Sequence, residues 1–407
     1  MALQTLVIGG GISGITAAVE LADAGQELML LEKDAYLGGH VSQFNNYFPK
    51  LCPPSCGLEI NYRRIRSNAR ITFQTGAEVK SISGVDGDFR VLVALKAEMI
   101  SNSCTSCGLC AEVCPEERPF KLGRTKGEKA AYINNELSFP AKYNIDPEVC
   151  KKEACGKCLE VCDYEAIHLD ALPTEMEIKA GKIILATGWS PYDAALIENY
   201  SYSDEVDVLT NMEFERLTAA CGRENKKLER PSDGKSPKRI AFVQCAGSRD
   251  ENHLPYCSAV CCSASVKHAL SLAESYPDIT TEIFYIDLRL SGRNEKLLNK
   301  AEASSSVTLT KGKVGRIEHA DGGVLLEVED ILKGKKRRDL FDMVVLATGL
   351  VCADPLPGLA LNEAGFLKPV QEAGIFPASS CKRPMDVSTS VKDATATALK
   401  TMKRDHE

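Results

Sequence analysis

The chain runs Leu6-Val7-Ile8-Gly9-Gly10-Gly11-Ile12-Ser13-Gly14 close to its start, and this stretch restricts the fold more than any other. Leu6 to Ile8 reads as a short buried parallel strand. Gly9, Gly11 and Gly14 stand in GxGxxG spacing, and Ile15 to Ala24 reads as a helix. Gly9 permits a tight turn, Gly11 lets backbone approach a pyrophosphate, and Gly14 lets the helix pack closely on the strand. Ile12 and Ser13 open that helix, whose free N–H groups and positive end suit a diphosphate. A second apolar strand, Glu27 to Leu31, ends at Glu32-Lys33, where a carboxylate can accept hydrogen bonds from a ribose. Strand, glycines, helix, strand and acid in this register predict a dinucleotide-binding α/β domain.

Further motifs favour FAD over NAD. Gly38-Gly39 resembles the second glycine pair of two-dinucleotide-binding flavoproteins, and Ala186-Thr187-Gly188 and Ala347-Thr348-Gly349 resemble the ATG motif of that class. His40, beside Gly39, reads most simply as an exposed polar residue, and is also a candidate neighbour of the flavin. Asp386 is a candidate contact, and Arg383 a weaker one, where the class carries a Gly-Asp pair. The expected fold is a thioredoxin-reductase-like α/β flavoprotein.

The cysteines add a second constraint. There are 17 in 407 residues, and their spacing points to metal rather than disulfides. Cys104-x2-Cys107-x2-Cys110-x3-Cys114-Pro115 has the bacterial ferredoxin spacing, and Cys150-x4-Cys155-x2-Cys158-x3-Cys162 follows it. Two x2 spacings wrap three thiolates round one cubane, and the fourth cysteine of each run, expected at the start of a short helix, serves the other cluster. Cys104, Cys107 and Cys110 therefore pair with Cys162, and Cys150, Cys155 and Cys158 with Cys114, predicting two [4Fe–4S] clusters. Paired zinc sites are the alternative, disfavoured because Cys-x2-Cys-x2-Cys crowds a single zinc. The second run departs from the pattern in its x4 spacing and in Asp163, which stands where proline is usual.

Strand patterns flank this segment. Ile71 to Lys80 and Asp88 to Ala97 suit a small antiparallel sheet, and Thr174 to Ile184 leads into Ala186-Thr187-Gly188. The cluster module is thus expected as an insertion into the flavin domain, a cheap position for extra chain. The expected units are 1–100 (FAD domain, first part), 101–165 (ferredoxin-like insert), 166–205 (FAD domain, second part), 206–335 (second nucleotide-binding-like domain) and 336–407 (FAD domain, third part).

The second unit lacks its fingerprint. After the strand Arg239 to Val243 the chain reads Gln244-Cys245-Ala246-Gly247-Ser248-Arg249-Asp250, then Cys257-x3-Cys261-Cys262 before a helix from Ser263 to Ser275. One glycine cannot cradle a pyrophosphate as three do. A third [4Fe–4S] cluster on Cys245, Cys257, Cys261 and Cys262 is expected, with a cysteine-rich buried helix start as the alternative; Cys257 and Cys261, if both helical, share a face. Beyond it, Thr308 to Val314, Gly323 to Val328 and Leu340 to Leu346 read as strands that lead back to the FAD domain. Ile375 to Ala378 reads as a last strand and Lys392 to Thr401 as a helix. Cys52-x3-Cys56, in a proline-rich loop, is open between a ligand or redox role and a structural one. Cys221, Cys352 and Cys381 read as buried thiols. A net charge of −7 argues against nucleic acid, no apolar run reaches the length of a membrane span, and no signal peptide is expected.

These features together resemble the HdrA-like family of heterodisulfide reductase flavoproteins, and within it the branch found in quinone-interacting membrane-bound oxidoreductases of sulfate reducers. The resemblance implies an electron-transfer subunit in the cytoplasm, held at the inner membrane by partners. Those partners would be a second flavoprotein of the same family and a haem-containing membrane subunit, with electrons exchanged between menaquinone and adenylylsulfate reductase. No nucleophile, paired carboxylate or histidine-based acid–base group stands out in the sequence. Three rivals remain: an NAD(P)H-dependent flavin reductase, disfavoured by the missing second GxGxxG; an electron-bifurcating component of heterodisulfide reductase; and a cluster scaffold, disfavoured by the intact FAD fingerprint.

Overall fold

The computed structural model describes residues 3–403 apart from 49–50, 119–127, 136, 225, 291, 354 and 370. Pro49 and Lys50 of the proline-rich loop lie outside the described residues, as does part of the stretch between the two ferredoxin-like cysteine runs.

The chain opens with β1 (Leu3–Ile8), α1 (Ile12–Asp23) and β2 (Leu28–Leu31), followed by α2 (Ser55–Ser67), β3 (Ile71–Gln74) and the hairpin β4 (Ala77–Val85) and β5 (Asp88–Leu95). The cysteine-rich segment then carries only short elements, among them α3 (Leu109–Glu112) and α4 (Lys157–Glu160), before β6 (Thr174–Leu185). A second unit follows: β7 (Val208–Thr210), α5 (Asn211–Glu224), β8 (Arg239–Ala246), α6 (Cys261–Ser275), β9 (Thr280–Tyr285) and α7 (Glu295–Ala303). Its strands continue with β10 (Val307–Ala320), β11 (Gly323–Asp330), β12 (Lys335–Phe341) and β13 (Met343–Thr348). The chain ends in β14 (Ile375–Pro377) and α8 (Val387–Lys403).

Two sheets result. The first has the order β3-β2-β1-β6-β5-β4, with β14 also on β6. β6 joins its two halves. Residues 174–180 run antiparallel to β5, while its C-terminal half runs parallel to β1 and to β14. Its burial changes accordingly, from alternating to continuous over Ile183–Leu185, as expected when a strand passes from a one-sided to a two-sided sheet. The second sheet has the order β7-β13-β8-β9-β10-β11-β12, parallel as far as β10 and antiparallel beyond it.

Three expectations shift. Ile71 to Lys80 is not one strand: the chain turns at Gly76 (φ 65°), so β3 extends the parallel edge and only β4 enters the hairpin. Leu340 to Leu346 breaks at Asp342, whose Oδ2 accepts the N–H groups of Lys238 and Arg239. β13 then lies between β7 and β8 in the second sheet, so the boundary expected at 336 falls beyond Thr348. The last helix starts before Lys392, because Asp386 Oδ1 accepts from Thr389 N at 2.7 Å and caps it.

The cysteine-rich segment leaves and rejoins the first unit at one point, where Ser101 N donates to Ala166 O (2.8 Å) and His168 N to Met99 O (2.9 Å). Met99, Ile100, Ala131, Ile145 and Ile167 form its small core. Among the described residues, no helix is long and apolar enough to cross a membrane.

Candidate functional site

A groove of about 390 Å³ runs along the C-terminal ends of the parallel strands of the first sheet. Gly9, Gly11, Ile12 and Ser13 line one side of it, with Glu32 and Lys33 at the end of β2. Gly38, Gly39 and His40, the loop Ala186-Thr187-Gly188 after β6, and Asp386 at the start of α8 complete the wall. This is where an α/β sheet of this kind binds its ligand. Gly9 sits at φ 107°, and a Cβ there would meet Ala186 O at 2.2 Å. Gly14 lies beneath the groove rather than in it: a Cβ on Gly14 would fall 1.8 Å from Gly9 O, so its hydrogen is what lets α1 seat on β1.

The Glu32 carboxylate accepts from Gly10 N (2.7 Å) and Asp34 N (2.8 Å), tying the glycine turn to the end of β2. Burial, with Asp34 adding to it, pushes the carboxyl up to about 7. Two groove-lining oxygens, Thr187 Oγ1 and Gln43 Oε1, are buried without a protein partner. A glycine cradle at a helix N-terminus together with orphaned polar atoms fits a dinucleotide, and FAD in particular suits a groove of this extent. His40 is half-buried rather than on the surface. Its Nε2 lies 2.9 Å from Trp189 O and its ring 4.5 Å from the indole, and burial lowers it to about 4, so it is neutral at physiological pH.

Ala347, Thr348 and Gly349 do not line the groove, and Arg383 does not either. With β13 in the second sheet, Thr348 Oγ1 pairs with Asn211 Oδ1 at 3.2 Å, and Gly349 packs against Ser248, Leu254 and Ser258. The same three-residue pattern thus serves a different sheet.

The ferredoxin-like runs surround two small cavities. Cys104, Cys107, Cys110 and Cys162 line one. Cys114, Cys150, Cys155 and Cys158 line the other. The fourth cysteine of each run crosses to the other cavity, as the spacing requires. Each run bends through a left-handed glycine, Gly108 or Gly156, into α3 or α4, and Cys114 and Cys162 follow these helices rather than starting them. Among the described residues no three His, Cys, Asp or Glu converge tightly enough for a single metal ion. Thiols spread round a cavity suit a cubane better than zinc. Ser106 N and Lys152 N each lie 3.4 Å from a sulfur, of Cys104 and Cys150 respectively, contacts that tune a cluster. Burial pushes the Cys110 thiol up to about 12, a cost that ligation to iron would offset.

The third set also converges. Cys245, at φ 57°, is the next-to-last residue of β8, and Cys261 and Cys262 begin α6. Cys257 precedes the helix, so it shares no helical face with Cys261. Burial raises Cys262 to about 11 and Cys261 further, with added repulsion from Cys245 and Cys257 on each. Arg249 hydrogen-bonds Cys245 and Arg289 hydrogen-bonds Cys257, while both guanidiniums pair with Asp287. The side-chain N and O of Gln244 and the hydroxyl of Ser248 are buried without partners next to Cys245. Four thiols and two cations fit an anionic cluster. Of the remaining cysteines, Cys221 and Cys381 are buried, Cys352 is partly exposed, and Cys52 and Cys56 stand at the α2 start, Cys56 exposed.

The sequence reading missed one group of charges. Glu215 on α5 and Lys267 and His268 on α6 are buried together in the groove wall. Glu215 Oε2 accepts from Lys267 Nζ and pairs with His268 Nε2. Glu215 Oε1 accepts from Asn45 N (2.9 Å), and Lys267 Nζ also donates to Asn46 O (2.9 Å). Burial alone would raise the Glu215 carboxyl, but Lys267 and His268 hold it well below the usual carboxylate range. Burial lowers both Lys267 and His268. The cluster can hold a proton at Lys267 Nζ or His268 beside the groove. The signal available in the sequence was a charged pair, Lys267-His268, inside the apolar run Val266 to Leu270.

Residues 7–68 match the family of NAD(P)-binding Rossmann-like domains. The chain is 35% identical over 417 residues to the HdrA-type component of the H(2):CoB-CoM heterodisulfide,ferredoxin reductase of Methanothermobacter marburgensis, covering 98% of this chain and 63% of that protein. It is 37% identical to an iron–sulfur component of the CoB–CoM heterodisulfide reductase of Methanopyrus kandleri, with 98% and 63% covered. It therefore spans just under two thirds of the length of these relatives. Among solved structures, the thioredoxin reductase of T. acidophilum matches with a TM-score of 0.56 at 14% identity, covering 100% of this chain and 99% of that one. The enzyme of Lactococcus lactis matches at 0.53 and 14%, covering 98% of each chain. The fold is thus that of thioredoxin-reductase-like flavoproteins.

Proposed function

Because the chain belongs to the HdrA-like family of heterodisulfide reductase flavoproteins, we propose that it is a flavin and iron–sulfur electron-transfer subunit of an oxidoreductase complex. The observation that carries this reading is the crossing of four-cysteine sets round two cavities, in a chain that also has a flavin-sized groove. Bound FAD supplies two-electron exchange, and [4Fe–4S] clusters supply single-electron steps.

The chain's own residues do the rest. Gly9, Gly11 and the start of α1 hold the diphosphate, with Glu32 bracing the turn. Cys104, Cys107, Cys110 and Cys162 hold one cluster, and Cys114, Cys150, Cys155 and Cys158 the other. Cys245, Cys257, Cys261 and Cys262 hold a third, with Arg249 and Arg289 balancing its charge. The Glu215–Lys267–His268 cluster keeps a proton at the groove wall.

In finer detail, we take the complex to be quinone-linked, because the chain resembles that branch of the family. A second flavoprotein and a haem-containing membrane subunit would be partners, adenylylsulfate reductase the exchange partner, and attachment to the inner membrane peripheral. The names of the relatives favour a second reading, in which the acceptors are a CoB–CoM heterodisulfide and ferredoxin. Reduction of the purified complex by a menaquinol analogue supports the first; reduction of heterodisulfide supports the second.

The deciding test is anaerobic titration with NADH and NADPH, following flavin and cluster absorbance. We expect neither to bleach the protein while dithionite reduces it fully. Fast stoichiometric bleaching would overturn the subunit reading in favour of a nicotinamide-dependent reductase.

A further inference from the structure

Behind the groove wall, between α5 and α6, lies a second cavity of about 60 Å³. Lys267 and His268 line both spaces. Its outer lining is Thr218 and Gly222 from α5 and Ser271, Ser275 and Tyr276 at the end of α6, and Gly222 and Ser275 reach the surface. We propose that this cavity is a water-filled proton conduit joining bulk solvent to the buried Glu215–Lys267–His268 cluster. The proposal rests on the reading that the groove holds FAD.

Several observations support it. The volume has room for about four waters, and a buried water needs two to four polar partners, which the hydroxyls of Thr218, Ser271 and Tyr276 and the amide of Asn45 supply. His268 Nε2 is committed to Glu215, while its Nδ1 is buried without a protein partner. Nδ1 is thus the atom left to bond a cavity water. Lys267, Ser271 and Ser275 recur every fourth residue on α6, so they share one face from the buried ammonium to the surface. A cofactor filling the groove covers the cluster from that side, and the cavity stays open behind it.

The proton balance is simple. A bound flavin taking an electron pair from the redox partner would also take up a proton, and the Lys267–Glu215–His268 cluster would give it. Bulk water replaces that proton through the cavity. Reoxidation returns it by the same route.

The test uses the FAD-loaded chain and two plugs from opposite helices, Ser271→Leu and Gly222→Leu. A side chain at Gly222 has space, its nearest neighbour being Asn45 Oδ1 at 3.5 Å. Two readouts apply: ordered waters in a high-resolution crystal structure, and the relaxation of the reduced flavin's absorbance after a pH jump. We expect waters bridging Ser271 and His268 Nδ1 in the unaltered protein. Each plug should slow the relaxation about tenfold, ~1.4 kcal/mol of added barrier, with FAD content and Tm unchanged. A dry cavity, or full FAD content with unchanged relaxation in both plugs, overturns the conduit. Purified protein that takes up no FAD overturns the flavin reading itself.

Discussion

Glu215→Ala removes the carboxylate bonded to Lys267 and leaves the ammonium with Asn46 O as its remaining charge-stabilising acceptor. Lys267 and Glu215 side chains are 6% and 5% exposed, so the pair is largely removed from bulk solvent. Breaking a buried pair on one side costs about 3–5 kcal/mol. An independent bound agrees: if Lys267 sheds its proton instead, moving an ordinary lysine from a pKa of about 10.4 to neutral at pH 7 costs roughly 5 kcal/mol, at about 1.36 per unit. For a unit the size of the second domain this is a fall in Tm of about 10 °C. Glu215→Gln, which keeps an acceptor, should lose less. The double variant Glu215→Leu/Lys267→Met should recover most of the loss, because an apolar pair of similar volume carries no stranded charge. Differential scanning calorimetry of the four proteins reads this cycle. A single-variant loss below about 1 kcal/mol, or a double variant no better than Glu215→Ala, would refute the buried ion pair.

Three further outcomes are expected. Glu32 is raised from 4.5 to about 7 by burial; a raised folded pKa means its contribution is fully present below pH 4.5 and lost as pH rises through 7, so Glu32→Gln should flatten the decline of apoprotein stability across that window in pH-dependent urea unfolding. Gly14→Ala, whose Cβ would meet Gly9 O at 1.8 Å, should push α1 off β1, cost about 1–3 kcal/mol and abolish FAD retention on gel filtration; normal flavin content would contradict the packing argument. Cys162→Ser should remove the cluster of Cys104, Cys107 and Cys110, about four irons per chain, and leave the EPR signals of the other two clusters intact. Loss of the signal assigned to the Cys150 set would reverse the pairing.

Much of the groove was legible because its parts are local. The glycine turn, the start of α1 and Glu32 lie within one βαβ unit, where residue spacing sets geometry directly. The same holds for the ferredoxin-like runs, whose x2 spacings and following short helices fix which thiols can meet. Reading failed where identical local patterns serve different sheets. Ala347-Thr348-Gly349 reads like Ala186-Thr187-Gly188, yet β13 pairs with β7 and β8, and pairing partners are not written in a strand's own residues. The single run Ile71 to Lys80 failed for a similar reason: alternation persists across Gly76, and only the left-handed turn there sends its halves to different edges.

The sequence by itself determined the dinucleotide fold at the start of the chain, the grouping of the ferredoxin-like cysteines round two cavities and the loss of a phosphate cradle in the second unit. Each depends on spacings of a few residues, over which backbone geometry leaves little freedom. Only the tertiary structure decided the Glu215–Lys267–His268 cluster, whose members meet from two helices 52 residues apart, and the polar cavity behind it. A carboxylate, an ammonium and an imidazole look like ordinary surface residues until packing takes all three out of bulk solvent at once. Burial then makes their pairing obligatory and turns them into a place where a proton can be kept.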